Sequence, residues 1–240
     1  MTAPGLFLEG AATAGGAALF GPLRLDVPGG KWTCLLGRSG VGKSTILRLF
    51  AGLETGAALA GRFGADDGAT LAGRVAWMAQ DDLLLPWLDV AGNVALGALL
   101  RGAAAEPGRL AATIARVGLT EHAGKRPGAL SGGQRQRAAL ARTLMEDRPV
   151  VLLDEPFSAL DAALRAEMQD LAAEVLEGRT VLMVTHDPGE AVRLGHHVHV
   201  LTGAGLAPVD LPAGAPPRPV DDPRVLAAQA HLLARLRGAT

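Results

Sequence analysis

The stretch Gly37-Arg38-Ser39-Gly40-Val41-Gly42-Lys43-Ser44 satisfies G-x-x-x-x-G-K-[ST] at every specified position. Strand-like Trp32–Leu36 precedes it and a helical pattern, Ser44–Leu53, follows. Glycines let the backbone wrap closely enough for successive N–H groups to face phosphate oxygens. The helix that begins beside Ser44 and Thr45 adds the positive end of its dipole. Lys43 is placed to reach the β- and γ-phosphates of a nucleotide, and the Ser44 hydroxyl to ligate Mg²⁺. Lysine is scarce here, three against twenty Arg, which makes the one inside the loop more telling.

The rest of the chain reads as a βα alternation. Leu6–Glu9, Leu23–Val27, Arg74–Ala79, Val150–Leu153, Thr180–Val184 and His197–Leu201 are strand-like. Val90–Leu100, Gly108–Val117, Gln134–Met145, Ala162–Leu176 and Pro223–Arg237 are helix-like, and Pro208–Pro219 reads as a linker. Residues 1–240 thus form one domain. Its core spans 1–85 and 146–207, a helical lobe spans 86–145, and the linker with its last helix spans 208–240. Net charge is −1, which argues against nucleic acid as a partner. No run of about 20 apolar residues is present to span a membrane as a helix. The Ala/Gly-rich Gly10–Gly21 has no positive segment before it and so does not read as a signal peptide. Cys34 is the single cysteine, which excludes an internal disulfide and fits a reducing compartment.

Many proteins share such a loop, so a second motif must distinguish among them. Leu130-Ser131-Gly132-Gly133-Gln134-Arg135-Gln136-Arg137 resembles the signature of ATP-binding cassette (ABC) ATPases; read from the residues alone, Ser131 is an N-cap. Further elements follow in the family's order. Val150–Glu155 resembles a Walker B strand, Ser158-Ala159-Leu160-Asp161 the D-loop, and Thr185-His186-Asp187 the switch-histidine turn. Gln80 matches the Q-loop glutamine.

The resemblance implies an α/β fold with a RecA-like parallel sheet, N-terminal antiparallel strands and an inserted helical subdomain. It implies ATP and Mg²⁺ as ligands. Ser44, Gln80 and Asp154 would surround the metal, Glu155 would be the general base, and His186 would contact the γ-phosphate. It also implies a head-to-tail homodimer, in which Gly37–Thr45 of one chain faces Ser131, Gly132, Gly133, Gln134 and Asp161 of the other. Two other readings stay open: a soluble ABC ATPase without a transport role, and a regulatory subunit that only binds nucleotide.

Asp81-Asp82-Leu83-Leu84-Leu85-Pro86-Trp87 is similar to importers of nitrate, sulfonate, taurine and the pyrimidine precursor of thiamine. In that family this segment docks the transmembrane permease, which would place the chain peripherally at the cytoplasmic face of the inner membrane. A periplasmic or lipoprotein solute-binding protein would act indirectly. The competing reading packs Leu84 and Trp87 inside the lobe.

The pattern departs from the family in one place. Relatives stack adenine on an aromatic after the first strand, where Gly10–Gly16 has none, and the chain contains no Tyr. Weak ATP affinity or relaxed base preference is therefore expected. His196, His197 and His199 cluster without a nearby carboxylate or thiol to complete a metal shell.

Overall fold

A computed structural model describes residues 3–238. In chain order its elements are β1 (Leu6–Ala14), β2 (Ala17–Val27), β3 (Trp32–Gly37), α1 (Lys43–Phe50), β4 (Ala57–Ala65) and β5 (Val75–Met78). The helices α2 (Val90–Val94), α3 (Leu96–Leu100), α4 (Pro107–Arg116) and α5 (Gly132–Met145) follow, then β6 (Val150–Asp154) and α6 (Ala162–Val175). The chain finishes with β7 (Thr180–Val184), α7 (Pro188–Leu194), β8 (His197–Thr202), β9 (Gly205–Pro208) and α8 (Pro223–Gly238). These elements fall into two units. One comprises Met1–Val75, Arg148–Glu155 and Glu177–Thr240, the other Ala76–Asp147 and Pro156–Leu176.

The first unit contains two sheets. Within it the larger runs β6-β7-β3-β8-β9, parallel except for β9, which returns antiparallel to β8. All five residues of β6 and of β7 are buried, as are Trp32–Leu36 of β3. Continuous apolar runs of this kind are what a parallel sheet covered on both faces requires. The smaller sheet, β2-β1-β4, is antiparallel.

That smaller sheet corrects the sequence reading at two places. Gly10–Ala14 is not a loop but the second half of β1, and the turn to β2 is only Gly15-Gly16, at φ 57 and 83. Two adjacent glycines at positive φ suit the tight hairpin turn. β4 was not expected at all, because Ala57–Ala65 carries little hydrophobic alternation. Its strand form comes from pairing. Gly10 and Gly61 face each other across β1 and β4, and a Cβ on Gly61 would lie 2.1 Å from the Glu9 carbonyl oxygen. Only glycine permits that approach.

The second unit is helical and organised around α5, whose Gln136, Ala138, Ala139, Leu140, Ala141, Thr143 and Leu144 are buried. Against the lobe expected at 86–145, this unit comprises 76–147 and 156–176. Gln136 Oε1 accepts from Ala159 N at 2.8 Å, and Arg116 pairs with Glu174 at 2.8 Å. The helix expected over Val90–Leu100 is divided into α2 and α3 at Ala95, which has φ −79 and ψ −7.

Candidate active site

The phosphate loop leaves β3 at Gly37 and enters α1 at Lys43. Gly42, the N-cap of α1, has φ 101, and a Cβ there would lie 2.8 Å from Phe20 Cδ1 and 3.0 Å from Leu19 Cγ. Glycine is thus required twice, by the backbone conformation and by the β2 side chains packed over it. Lys43 is 8% exposed, and its Nζ donates to Gly37 O at 2.8 Å and Arg38 O at 2.9 Å. Burial pushes the ammonium's pKa down, while Glu155 and Asp154 nearby oppose that shift.

Asp154 ends β6 and is 4% exposed. Burial raises its pKa, and a hydrogen bond from Ser44 pulls the other way. Its Oδ1 is buried without a hydrogen-bond partner. Glu155 follows at φ 50, a left-handed conformation uncommon for a side chain this size, with its N–H donating to Val184 O of β7 at 2.9 Å. Glu155 Oε2 lies 3.1 Å from His186 Nδ1.

The turn bearing His186 is tied from beneath. Thr185 Oγ1 donates to Glu190 Oε2 at 2.6 Å and accepts from Asp187 N at 3.0 Å. Asp187 caps α7, accepting from Gly189 N at 2.7 Å. Gly37–Thr45, Asp154, Glu155 and His186 therefore belong to one unit. Thr185 lies in the switch-histidine stretch, but Glu190, which supports it, carried no motif signal, and its role emerges only from the hydrogen bond.

The second unit carries the remaining motif residues. Ser131 is the N-cap of α5 in a reciprocal capping box: its Oγ accepts from Gln134 N at 3.2 Å, and Gln134 Oε1 accepts from Ser131 N at 2.8 Å. Asp161 caps α6 by accepting from Leu164 N at 3.0 Å. Gln80, Ser131, Gly132 and Asp161 are exposed. Gln136, quoted in the signature stretch but given no role there, joins the signature helix to the D-loop segment through Ala159 N and Ser158 Oγ.

The segment Asp81–Trp87 combines both readings of its apolar residues. Leu84 is buried at 8% exposure, whereas Trp87 is 65% and Leu83 54% exposed. Buried Asn93 holds the backbone, its Oδ1 accepting from Leu85 N at 2.7 Å and its Nδ2 donating to the carbonyls of Leu85, Leu88 and Asp89. Arg142 of α5 donates to the carbonyls of Asp82 and Leu83, and Arg135 pairs with the Asp82 carboxylate at 2.9 Å. Of the histidine cluster, His196 Nδ1 accepts from Trp32 N at 3.2 Å. His197 is exposed and His199 half-buried on the same strand.

The family model described as ABC transporter matches residues 20–158, more than half of the chain. The chain belongs to the ABC transporter family. An ABC transporter ATP-binding protein of Haemophilus influenzae, described as uncharacterized, is 44% identical over 230 residues, covering 93% of this chain and 94% of that protein. The aliphatic sulfonates import ATP-binding protein SsuB of Escherichia coli is 45% identical over 217 residues, covering 89% and 83%. A dimer of the ATP-binding cassette MJ0796 bound to ADP and Pi superimposes with a TM-score of 0.75 at 26% identity, covering 87% of this chain and all of that one. The α/β core with its antiparallel strands and inserted helices is thus an ABC ATPase cassette, and the chain is an ATP-binding ATPase of that class.

Proposed function

We propose that the chain hydrolyses Mg·ATP on its phosphate-loop face to drive a membrane permease that imports a small organic anion of the sulfonate class. The observation that carries the hydrolytic part is the Glu155–His186 pair, with a 3.1 Å contact, in the field of a buried Lys43. The N–H groups of the loop and the Lys43 ammonium hold the phosphates, Lys43 exchanging the carbonyls of Gly37 and Arg38 for phosphate oxygens. Glu155 takes a proton from the attacking water as its oxygen bonds to the γ-phosphorus and the bond to the β-phosphate oxygen breaks, giving ADP and phosphate. His186 holds Glu155 Oε2 and contacts the γ-phosphate.

The residues present fit Mg²⁺. Asp154 Oδ1 is a buried, unpartnered carboxylate oxygen, the Ser44 hydroxyl adjoins that carboxylate, and both are hard oxygen donors. Ser44 and Asp154 would hold the ion, which supplies charge neutralisation on the phosphates.

In a head-to-tail pair, Ser131–Gln134 and Asp161 of one chain complete the site at Gly37–Thr45 of the other. The capped and exposed start of α5 supports this, as does the dimeric state of the MJ0796 cassette. Asp81–Trp87 docks the permease, with exposed Leu83 and Trp87 presented on a backbone fixed by Asn93 and Arg142. Among the described residues no helix is long and apolar enough to cross a membrane, so attachment at the cytoplasmic face of the inner membrane would be peripheral. A solute-binding protein would deliver the anion to the permease. The sulfonate assignment rests on the name of the relative SsuB.

ATP hydrolysis by the wild type beside Glu155→Gln, with size-exclusion in Mg·ATP, tests the reading. Loss of roughly 10²–10⁴-fold in rate with the variant trapped as a dimer is expected for removal of a general base. Equal rates in the two proteins overturn Glu155 as the base.

A further inference from the structure

Arg218 belongs to the segment expected to be a linker, yet it is 5% exposed. Its Nη1 donates to Val192 O at 2.7 Å and Gly195 O at 2.9 Å, and its Nε to Pro212 O at 3.1 Å. Its own N–H donates to Arg193 O at 2.9 Å. Two of the three carbonyls met by the guanidinium, and the one met by the N–H, lie at the C-terminal end of α7 or just past it. A helix end leaves its last carbonyls without intrahelical partners, and a cation there also complements the negative end of the dipole.

The other end of α7 carries the switch turn. Asp187 caps it, and Thr185 and Glu190 bond across it, so His186 is one residue from a helix held at both ends. α8 closes over the same helix: a Cβ on Gly189 would lie 3.1 Å from Gln229 Oε1.

We propose that Arg218 is a positioning residue for hydrolysis, closing the carbonyl end of α7 and thereby holding His186 in register with Glu155. The proposal rests on the reading of Glu155 and His186 as base and partner. Its physical warrant is the poor return on burying this charge for packing alone. Among the described residues the guanidinium bonds to backbone carbonyls and to no carboxylate, and burying a cation that way is unfavourable compared with burying an apolar side chain of similar shape. What the charged fork adds is orientation, because its planar donors reach several acceptors at once. The C-terminal segment is then a brace on the catalytic turn.

The test compares Arg218→Met, Arg218→Lys, His186→Ala and the double variant Arg218→Met/His186→Ala, reading kcat and KM for ATP together with nucleotide binding. Arg218→Met lowers kcat by about tenfold, the equivalent of one charged hydrogen bond, with KM and nucleotide affinity unchanged within about twofold. Arg218→Lys recovers part of that loss, and it gives the same readout should the methionine variant not fold. In the His186→Ala background the Arg218 substitution has little further effect, because the residue it positions is gone. A loss of the same factor in both backgrounds, or loss of nucleotide binding together with kcat, overturns the brace. An undiminished kcat in His186→Ala alone overturns the role of His186, and the brace with it.

Discussion

The two units handle their polar groups in opposite ways. On the phosphate-loop face the charged groups Lys43 and Asp154 are sunk, at 8% and 4% exposure, and the exposed His186 rides on a turn held by Thr185 at 1% and Glu190 at 4%. In the helical unit the motif residues Gln80, Ser131 and Asp161 are exposed, and Trp87 stands at 65%, while buried Asn93 and Gln136 hold the backbone that carries them. A group that stabilises charge at the reacting centre works best when desolvated and fixed in advance. A group that meets a second molecule must stay accessible, and it loses less entropy on contact if its backbone is already rigid. The first unit is built to react, the second to be met.

Five substitutions would break or sharpen this contrast. Lys43→Met has the largest expected effect, lowering nucleotide affinity by about 100-fold, since truncating one partner of a buried charged pair costs roughly 2–5 kcal/mol. An unchanged dissociation constant by calorimetry would mean that the buried face does not hold the phosphates. Ala14→Tyr should improve ATP binding by about 1–3 kcal/mol through a restored base stack. Ala14 ends β1, whereas Gly15 sits at φ 57 and would strain under any side chain, so Ala14 is the position to use. An unaltered KM for ATP would refute the missing-stack account.

Asn93→Ala leaves Leu85 N without its acceptor and should destabilise the fold by about 1–3 kcal/mol. Trp87→Ala should change stability by no more than about 0.5 kcal/mol. Urea midpoints compare the two directly, and a large loss from Trp87→Ala would show that the exposed face is structural.

A further prediction concerns pH. Burial pushes His196 from 6.5 to about 4. As pH falls below 6.5 the unfolded chain takes up this proton first, so stability declines until about 4 and then levels. His196→Asn keeps an acceptor for Trp32 N and should flatten that part of the stability curve. An identical slope in wild type and variant would assign it to another group.

The sequence by itself determined the order of motifs from Gly37 to Asp187, the parallel strands with their continuous apolar runs, and Ser131 as a helix cap. Each of these is local. A glycine pattern, an apolar run or a cap residue has its meaning within a few positions of the chain. What the sequence left out is non-local. Ala57–Ala65 is a strand because β1 pairs with it residue by residue, which no local propensity announces. Arg218 read as linker because its partners, Val192 and Gly195, lie 26 and 23 residues away. Gln136 likewise reaches across 23 residues to Ala159. A hydrogen bond between distant segments leaves no period or spacing in the chain, so only the tertiary structure could decide which polar residues hold the motif residues in place.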